Sequence, residues 1–466
     1  DYSRQNIIRK FFFFFNNYNT CDCVTESNNR IYISDTDNYE NEFDSWKIFR
    51  YQNYVNLPSQ YGNIKNIFNI SNNLYAHTEH NLFKIYTSED KLLSDTKQVY
   101  IGSGSIFSST PQYIFASDEG YAGLNQLNGT LINQFGYFWA DTITGNIYSF
   151  DGQSPKNMLA GLYSWLLENN KSFIKKDFPN STDTYWHFGF DHKNMRLLYT
   201  KIDYKVKEEF KNKINFQDGK YYYNGTEIKL ADETYFCNMS FTLSYSYLIE
   251  TPNWVSWHSY TPDKYLMLRD KFFSVADDIY KHGSMNKQTY YGTYYPHIIE
   301  YVVSKNGLET ILFDAIQYYQ TAEKLLTTGL NKLYEDITFN SVFVYNSKQN
   351  TGIQTMGIKT DFSGYMNVAV KNIKDFIFVN KKESKWFLNQ FTDNVTNYLT
   401  TSNVCECLFP HSLTPNKVAL SYKPFYKQQY LRDLYHAVRF TYFYPKDATI
   451  NLNTKYFLTS ISNSIR

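Results

Sequence analysis

The sequence predicts a mainly β protein: an irregular β-propeller of six or seven blades, followed by a helical connector and a second β-dominated domain. Aromatic residues make up 19% of the chain, with 45 Tyr and 37 Phe, and these residue types favour half-buried pleated surfaces. Short aromatic and β-branched runs are separated by Asp, Asn, Gly and Ser turns, as expected for antiparallel strands.

One hairpin pattern recurs along the first two thirds of the chain. Its clearest copy, residues 137–152, is an aromatic β-run, a polar turn with Gly145, a second β-run and a closing Asp-Gly. Looser copies follow at spacings of roughly 25 to 55 residues, which overlap the length of a four-stranded propeller blade. A β-sandwich array is the competing architecture. The predicted strand pairs of this region begin at Ile31, Leu74, Tyr113, Tyr137, Trp186, Phe241 and Phe273.

These patterns divide the chain into four predicted segments. They are an N-terminal segment at 1–30, a propeller-like domain at 31–307, a helical connector at 308–335 and a C-terminal β-rich domain at 336–466. The C-terminal domain is expected to hold strands at 342–345, 376–379 and 454–460, with helix-like stretches at 384–399 and 427–434.

Two segments carry helical periodicity. Ser154 and Pro155 suit an N-cap and a first helical position, and an apolar face follows at helical spacing, formed by Met158, Leu159, Leu162, Trp165 and Leu166. The connector likewise predicts one apolar stripe, formed by Ile311, Leu312, Ala315, Ile316 and Tyr319. The first segment is therefore expected to be a helix inserted between blades, and the second a longer helix that leaves the propeller.

The charge and the N-terminus exclude several classes of protein. The 46 Lys and Arg nearly balance the 45 Asp and Glu, unlike the basic footprint of a dedicated DNA-binding domain. No apolar stretch of the sequence reaches the length of a membrane-spanning helix. The five phenylalanines at 11–15 are followed directly by the polar Asn16 and Asn17, so the apolar region of a signal peptide does not form. Asp1 stands where Met is expected, so the sequence is either trimmed or cut from a longer precursor, and of the two we expect cleavage.

The cysteines do not indicate a disulfide framework, because their number is odd and the chain is long. They are Cys21, Cys23, Cys237, Cys405 and Cys407. The two Cys-x-Cys pairs could in principle form a four-thiolate zinc site. Their spacing is tighter than zinc sites use and the pairs lie at opposite ends of the chain, so we expect reduced thiols at strand positions and no metal.

The sequence contains no recognisable catalytic set. His77 and His80 flank an acidic turn and are expected to be solvated, as are His187 and His192 beside another hairpin; His258 is expected to be half-buried with a backbone partner. Nucleophile elbows and zinc-protease helices are absent from the sequence, and the Gly-Ser run at 102–105 lacks the lysine of a phosphate-binding loop. We therefore predict no catalytic, cofactor-binding or metal-binding residues, no cofactor, and a protein that is not an enzyme.

Two features suggest carbohydrate. Residues 117–120 and 141–145 resemble the Asp-box turns of sialidase propellers, but no arginine cluster accompanies them, and Asx-type capping of hairpins accounts for them equally well. The tyrosine-rich stretches at 221–225, 290–291 and 294–295 could form a glycan-binding surface. Cross-strand aromatic pairs or subunit contacts are the alternative explanation for those tyrosines.

Five stretches resemble one family in their order and spacing. They are 186–199, 242–247, 257–263, 272–283 and 431–440, and together they resemble the tail muzzle (tail stabilisation) proteins of crAss-like bacteriophages over roughly residues 70–466. The resemblance implies a propeller-bearing protein at the distal end of a short phage tail. It implies no catalytic residues, and because the family chains are longer, it fits a C-terminal fragment of a cleaved chain.

The resemblance also sets the expected partners. It implies a homo-oligomeric ring of six copies that extends the DNA channel and gates it until infection, in contact with other tail and tail-fibre proteins. The cleaved N-terminal part is expected to be retained, and genomic DNA to pass through the lumen without sequence-specific binding, which suits a near-neutral wall. The alternatives are a glycan-binding propeller for host recognition and a glycan-cleaving enzyme.

Overall fold

The computed structural model describes residues 27–34, 47–50, 53–87, 107, 110–115, 122–126, 129–141, 143–268, 271–283, 289–325, 331–334, 338–358, 376–398, 419–424, 427–442 and 454–465. The predicted features at 1–26, 102–105 and 117–120, and four of the five cysteines, lie outside these residues. The chain divides into two compact units, Asp1–Ile279 and Tyr280–Arg466, and each is described by itself.

The first unit begins with a two-stranded sheet and a four-stranded antiparallel meander. The pair is β1 (Arg30–Tyr32) and β2 (Tyr54–Asn56), followed by a 3-10 helix at Ser59–Tyr61. The meander is β3 (Ile64–Ile70), β4 (Asn73–Thr78), β5 (Leu82–Ile85) and β6 (Gln112–Tyr113). Apolar side chains on the two sides of this sheet are buried in separate clusters, because alternate residues of a strand point to opposite faces.

A second meander contains the hairpin from which the fold was predicted. Its strands are β7 (Thr130–Asn133), β8 (Gly136–Asp141), β9 (Asn146–Phe150) and β10 (Pro155–Asn157). β8 is buried along its whole length. The predicted inserted helix exists, but it begins later than expected: Pro155 starts a short strand, and the helices are α1 (Tyr163–Asn169) and α2 (Ile174–Asp177).

The third four-stranded sheet carries an inserted module between its second and third strands. The strands of this region are β11 (Tyr185–Asp191), β12 (Arg196–Ile202), β13 (Tyr204–Val206), β14 (Ile214–Gln217), β15 (Lys220–Tyr223), β16 (Thr226–Ile228), β17 (Phe236–Asn238), β18 (Phe241–Ser246) and β19 (Asn253–His258). The main sheet has the order β11-β12-β18-β19. The module pairs β13 with β17, includes a 3-10 helix at Glu208–Phe210, and forms a three-stranded sheet from β14, β15 and β16.

A three-stranded sheet completes the description of this part of the chain. It consists of β20 (Lys264–Leu268), β21 (Lys271–Val275) and β22 (Ile279–Lys281). All seven predicted strand starts of the propeller-like domain fall within strands or at their first residues. The mainly β class is therefore confirmed, and three of the sheets have the four-stranded antiparallel form of a propeller blade; a propeller of six or seven blades stays a prediction.

The second unit is dominated by one ten-stranded sheet. Its strands and their neighbours are β23 (Thr289–Tyr290), β24 (Thr293–Tyr294), β25 (His297–Ser304), β26 (Ile311–Leu325), β27 (Asn331–Tyr334), β28 (Ser341–Tyr345), β29 (Gln354–Ile358), β30 (Phe376–Lys382), β31 (Lys385–Asn389), β32 (Val395–Tyr398), β33 (Ala419–Tyr422), β34 (Arg432–Asp433), β35 (Tyr435–Tyr442) and β36 (Thr454–Ile465). The order is β25-β35-β28-β29-β30-β31-β26-β27, with β34 and β36 also paired to β26. Only the β29–β30 pairing in this sheet is parallel among the described residues.

This sheet curls into a half-barrel around a single core. Strands from one edge to the other contribute buried side chains to that core, among them Val303, Phe313, Ile316, Val344, Met356, Val379, Trp386 and Phe440. Side chains also bridge the two outer strands, because the Tyr301 hydroxyl on β25 donates a hydrogen bond of 2.9 Å to Asn463 Oδ1 on β36.

Three helical predictions in this unit are wrong. The predicted connector at 308–335 contains the long strand β26 and the strand β27. The stretch at 384–399 holds β31 and β32, and the stretch at 427–434 holds β34 and a β-bridge at Tyr430. The predicted strands at 342–345, 376–379 and 454–460 are confirmed as parts of β28, β30 and β36.

Candidate functional site

The short segment 122–126 joins three sheets of the first unit. The carbonyl oxygen of Ala122 accepts hydrogen bonds from His77 Nε2 at 2.8 Å and from Trp139 Nε1 at 3.0 Å. His77 belongs to β4 and Trp139 to β8, so one backbone oxygen holds two four-stranded sheets together. We call residues 122–126 the clasp segment.

His77 is the centre of this arrangement. Because a carbonyl can only accept, Nε2 must carry the proton, and Nδ1 then accepts from the Tyr137 hydroxyl at 2.9 Å. The imidazole is completely buried, and burial lowers its pKa to about 4 even though the hydrogen bond to Ala122 favours the charged form. The prediction of a solvated histidine is therefore wrong for His77, which lies on a buried strand and not in the turn that follows it.

The other end of the clasp segment is tied to the third sheet. The side-chain amide of Gln126 donates to the Trp186 carbonyl at 2.9 Å and accepts from the Trp186 backbone N–H at 2.8 Å, as a neighbouring strand would. Gly123 lies so close to the β4–β5 turn that a Cβ there would be 1.7 Å from the Glu79 carbonyl oxygen. Only glycine fits at this position, and the clasp segment therefore packs directly on the turn.

A buried ion pair fixes the two helices to the third sheet. Lys201 and Asp203 are both fully buried with Nζ and Oδ2 2.7 Å apart. Lys201 also donates to the carbonyls of Asn169 and Lys171, at the end of α1, at 2.7 and 2.6 Å. Burial lowers the pKa of Lys201, and the neighbouring carboxylate opposes that effect.

Asp203 completes the same network from the other side. Its carboxylate accepts from the backbone N–H groups of Phe173 and Ile174, at the start of α2, at 2.7 and 3.3 Å, and from the Thr184 hydroxyl at 2.9 Å. An anion at a helix start and a cation at a helix end both oppose the partial charges of the unpaired backbone groups there. The ion pair therefore works as a structural joint with its hydrogen-bonding groups occupied.

A row of polar residues crosses the third sheet at one level. His187, Thr200, Thr242 and His258 are successive cross-strand partners on β11, β12, β18 and β19. Thr200 Oγ1 lies 2.8 Å from Thr242 Oγ1 and 2.6 Å from the hydroxyl of Tyr265 on β20. This row therefore ties the β20–β22 sheet to the face of the third sheet.

His187 is buried in this row without a hydrogen-bond partner on either ring nitrogen. Its ring packs against Tyr265 at 4.9 Å between centroids, and burial, aided by the charge of Lys264, lowers its pKa to about 3. The prediction that His187 is solvated is wrong. His192 packs its ring 4.9 Å from Phe190, and His258 is half-buried on β19, as predicted.

The acidic turns are Asx turns. Asp141 Oδ1 accepts from the N–H groups of Ile143 and Thr144 at 2.9 and 3.3 Å. Asp151 and Asp191 likewise accept from the N–H groups two and three residues further along the chain. These carboxylates therefore close hairpins by local hydrogen bonds, and this accounts for the turn at 141–145 without a glycosidase site.

The tyrosine-rich stretch at 221–225 does not present three rings on one surface. Tyr221 is buried with its hydroxyl 2.7 Å from both Ser181 Oγ and Asp183 Oδ2, and Tyr223 packs against Phe210 and Tyr235 in the same small core. Only Tyr222 of the three lies on the opposite face of β15, because side chains alternate along a strand. The packing explanation is the one that fits Tyr221 and Tyr223.

Three of the tyrosines predicted at 290–295, namely Tyr290, Tyr291 and Tyr295, have rings beside other tyrosines. Tyr291 lies 4.6 Å from Tyr280 between ring centroids, and Tyr290 lies 6.1 Å from Tyr295.

Cys237 is buried on β17 and is disulfide-bonded, so the expectation of a reduced thiol is wrong for this cysteine.

Among the residues that the structure describes, no three His, Cys, Asp or Glu side chains come together as a metal site requires. The described helices are too short or too polar to cross a lipid bilayer. The chemistry of this arrangement is structural, because its polar side chains connect separate elements. Each of the following side chains bonds to an element other than its own: His77, Gln126, Lys201, Asp203 and Thr200. The sequence predicted none of these five bonds, because hydrogen bonds between distant segments leave no local pattern.

Comparison with known families matches this same part of the chain. A family model described as Crassvirus muzzle protein covers residues 2–278, which coincides with the first compact unit and contains the clasp segment, the ion pair and the polar row. No protein of established function in the curated collection matches the chain.

Proposed function

The chain belongs to the Crassvirus muzzle protein family, and we propose that it forms a closed ring at the distal end of the phage tail, where it extends and gates the DNA exit channel. Membership makes it a structural protein of the virion, with a place in the tail and other virion proteins as its partners. Family membership does not itself include the closed ring, the gating of the channel or the position at the distal end of the tail, and these three properties are our proposal.

One observation carries the mechanical part of this proposal. Two sets of buried polar groups are occupied in bonds between separate elements: the Ala122 carbonyl with His77 and Trp139, and the Lys201–Asp203 pair with the ends of the two helices. Such bonds resist sliding of one sheet over another, because each is geometrically specific and leaves an unpaired buried group when it breaks. A channel wall that withstands the passage of pressurised DNA needs this property.

The same proposal includes the finer architecture. We infer that the four-stranded sheets of the first unit are blades of an irregular propeller of six or seven blades, and that six copies close the ring. Tail and tail-fibre proteins would surround it, and DNA would pass through the lumen without base-specific contacts. The carboxylates of Asp141, Asp151 and Asp191 accept local hydrogen bonds that close hairpins, and this supports a structural role over a glycan-cleaving enzyme.

Electron microscopy of purified virions tests the proposal. We expect a label attached to this chain to appear only at the tail tip, and quantitative mass spectrometry to give six copies per tail. A label on the capsid or on the fibres, or a copy number that no closed ring explains, would rule the proposal out.

A further inference from the structure

The formal net charge of the whole chain is close to zero, but the two units carry net charges of opposite sign. Residues 1–279 contain 26 Lys and Arg against 32 Asp and Glu, whereas residues 280–466 contain 20 Lys and Arg against 13 Asp and Glu. The first unit therefore carries a formal charge of −6 and the second a formal charge of +7. Asymmetry of this size within one chain indicates an electrostatic role in association.

The basic unit carries an exposed patch that combines charge with apolar surface. It lies where the β28–β29 turn meets the segment that leads into β35, and we call it the basic rim. Lys348 and Arg432 are exposed there, beside Tyr430, Leu434 and Tyr435, whose side chains are 57%, 43% and 37% exposed. Among the described residues, Lys348 is near enough to Asp433 for their charges to interact, and Arg432 keeps its guanidinium on the exposed surface.

The rim is held in a fixed shape. Gln349 on the turn accepts from the Arg432 backbone N–H at 2.7 Å and donates to the Tyr430 carbonyl at 3.3 Å. Ser347 donates its N–H and its hydroxyl to Asp433 Oδ2, at 3.2 and 2.5 Å. A preformed surface loses little conformational entropy on binding, and this favours its use in a specific contact.

We propose that the basic rim docks on the acidic first unit of a second copy of this chain, so that copies associate head to tail. The inference rests on the ring that we propose above and adds the surface that joins its members. Contacts between two different surfaces of identical copies generate a ring when the rotation closes. The complementary charge is supplied by the chain itself, and aromatic and apolar side chains beside arginine are typical of protein interfaces.

The rim is less suited to nucleic acid. The ionised carboxylate of Asp433 lies in its centre, where it would repel a phosphate backbone, and hydrogen bonds from Ser347 lower the pKa of that carboxyl. Leu434 presents an aliphatic surface that cannot stack on a base as an aromatic ring does. An acidic protein surface also offers apolar side chains and hydrogen-bond donors, so it fits this mixture of cations, one carboxylate and apolar side chains better than a uniformly anionic polyphosphate does.

Sedimentation velocity of the full chain in low and high salt tests the proposal. We expect association at low ionic strength that weakens on the order of tenfold or more at high salt, because contacts between exposed charges are screened. The double variant Lys348→Glu and Arg432→Glu is expected to be monomeric at concentrations where the wild type associates. The matched control is Lys382→Glu with Lys385→Glu, which makes the same charge change on the exposed tip of the β30–β31 hairpin and should associate as the wild type does.

Several results would overturn the inference. They are association that salt does not weaken, a wild-type chain that stays monomeric, equal loss in the control variant, or tighter binding of the rim to a DNA duplex than to a second copy in a fluorescence anisotropy assay. Circular dichroism establishes that each variant is folded, and the salt series on the wild type needs no variant at all. If the rim variant still enters the tail tip as a ring, the inference fails while the proposed function stands.

Discussion

Buried imidazoles link the stability of the first unit to pH at the level of single residues. His77 and His187 are neutral when folded, and their pKa values lie at about 4 and about 3 because burial disfavours the charged ring. An unfolded histidine titrates near 6.5, so the unfolded chain binds more protons than the folded chain between these values. The stabilisation is fully present above about pH 6.5 and is lost as the pH falls towards the folded values.

We therefore expect the free energy of unfolding to decrease as the pH falls from about 6.5 to about 4, with His77 contributing up to about 3 kcal/mol. Denaturant unfolding at a series of pH values measures this slope. The variant His77→Gln should show a shallower slope, and His187 and the other groups with lowered pKa values, among them His297 and His436, supply the remainder. An unchanged slope in His77→Gln would contradict the assignment.

The buried ion pair gives a second prediction for a single residue. Lys201→Met removes the cation, leaves the carboxylate of Asp203 buried without it, and frees the carbonyls of Asn169 and Lys171. Loss of one partner of a buried pair typically costs 3–5 kcal/mol, so we expect about that decrease in the free energy of unfolding. Lys211→Met breaks an exposed pair with Glu208 and should cost at most about 1 kcal/mol. Equal effects of the two variants would refute the idea of a joint.

Between elements, the docking of the β20–β22 sheet depends on a glycine. A Cβ at Gly189 on β11 would lie 2.5 Å from the ring of Tyr265, whose hydroxyl bonds to Thr200. We expect Gly189→Ala to displace the ring and to destabilise the first unit by about 1–3 kcal/mol. Tyr265→Phe removes only the hydroxyl and should cost about 1 kcal/mol. Thermal melting of both variants checks the order of these costs, and a smaller loss in Gly189→Ala would show that the ring relaxes freely.

Strand prediction succeeded where alternation was regular and failed where a bulge interrupted it. In β26 the buried residues are Ile311 and Phe313, then Ile316 and Tyr318, because Asp314 is an extra residue in the pairing with β36. The extra residue shifts the buried face by one position, so Ile311 and Ile316 are both buried at a spacing that strict alternation does not give. The predicted helical stripe joined these two to residues that are only half-buried, namely Leu312, Ala315 and Tyr319. The error at 308–335 therefore has a geometric cause that only the pairing of strands distant in sequence reveals.

The joints between sheets were beyond prediction for a related reason. The sequence identified His77 as a titratable residue beside an acidic turn, but its partners Tyr137 and Ala122 lie 60 and 45 residues further along the chain. Gln126 gave no signal, since glutamine occurs in any polar loop. The Asx turn at Asp141 was predictable because its donors are two and three residues away. Local hydrogen bonds can be inferred from spacing, whereas joints between sheets require the fold.

For the whole molecule, the division into units changes the meaning of the composition. A formal charge of +1 suggested a neutral conduit wall, but the boundary after Ile279 separates an acidic unit from a basic one. The family match ends at residue 278 and therefore describes the acidic unit alone. The half-barrel of the second unit has its own core and its own sheet, so each unit holds the elements of an independent folding domain.

Independent cores predict that the chain unfolds in two transitions. Lys201→Met should lower only the transition of the first unit, and Trp386→Ala, which empties a fully buried position in the half-barrel core, should lower only the other by about 3–5 kcal/mol. Differential scanning calorimetry of the wild type and the two variants resolves the assignment. A single transition that both variants shift equally would contradict this prediction. It would mean that the two units unfold as one cooperative body, because mutations in separate cores lower the same transition only when both cores unfold together.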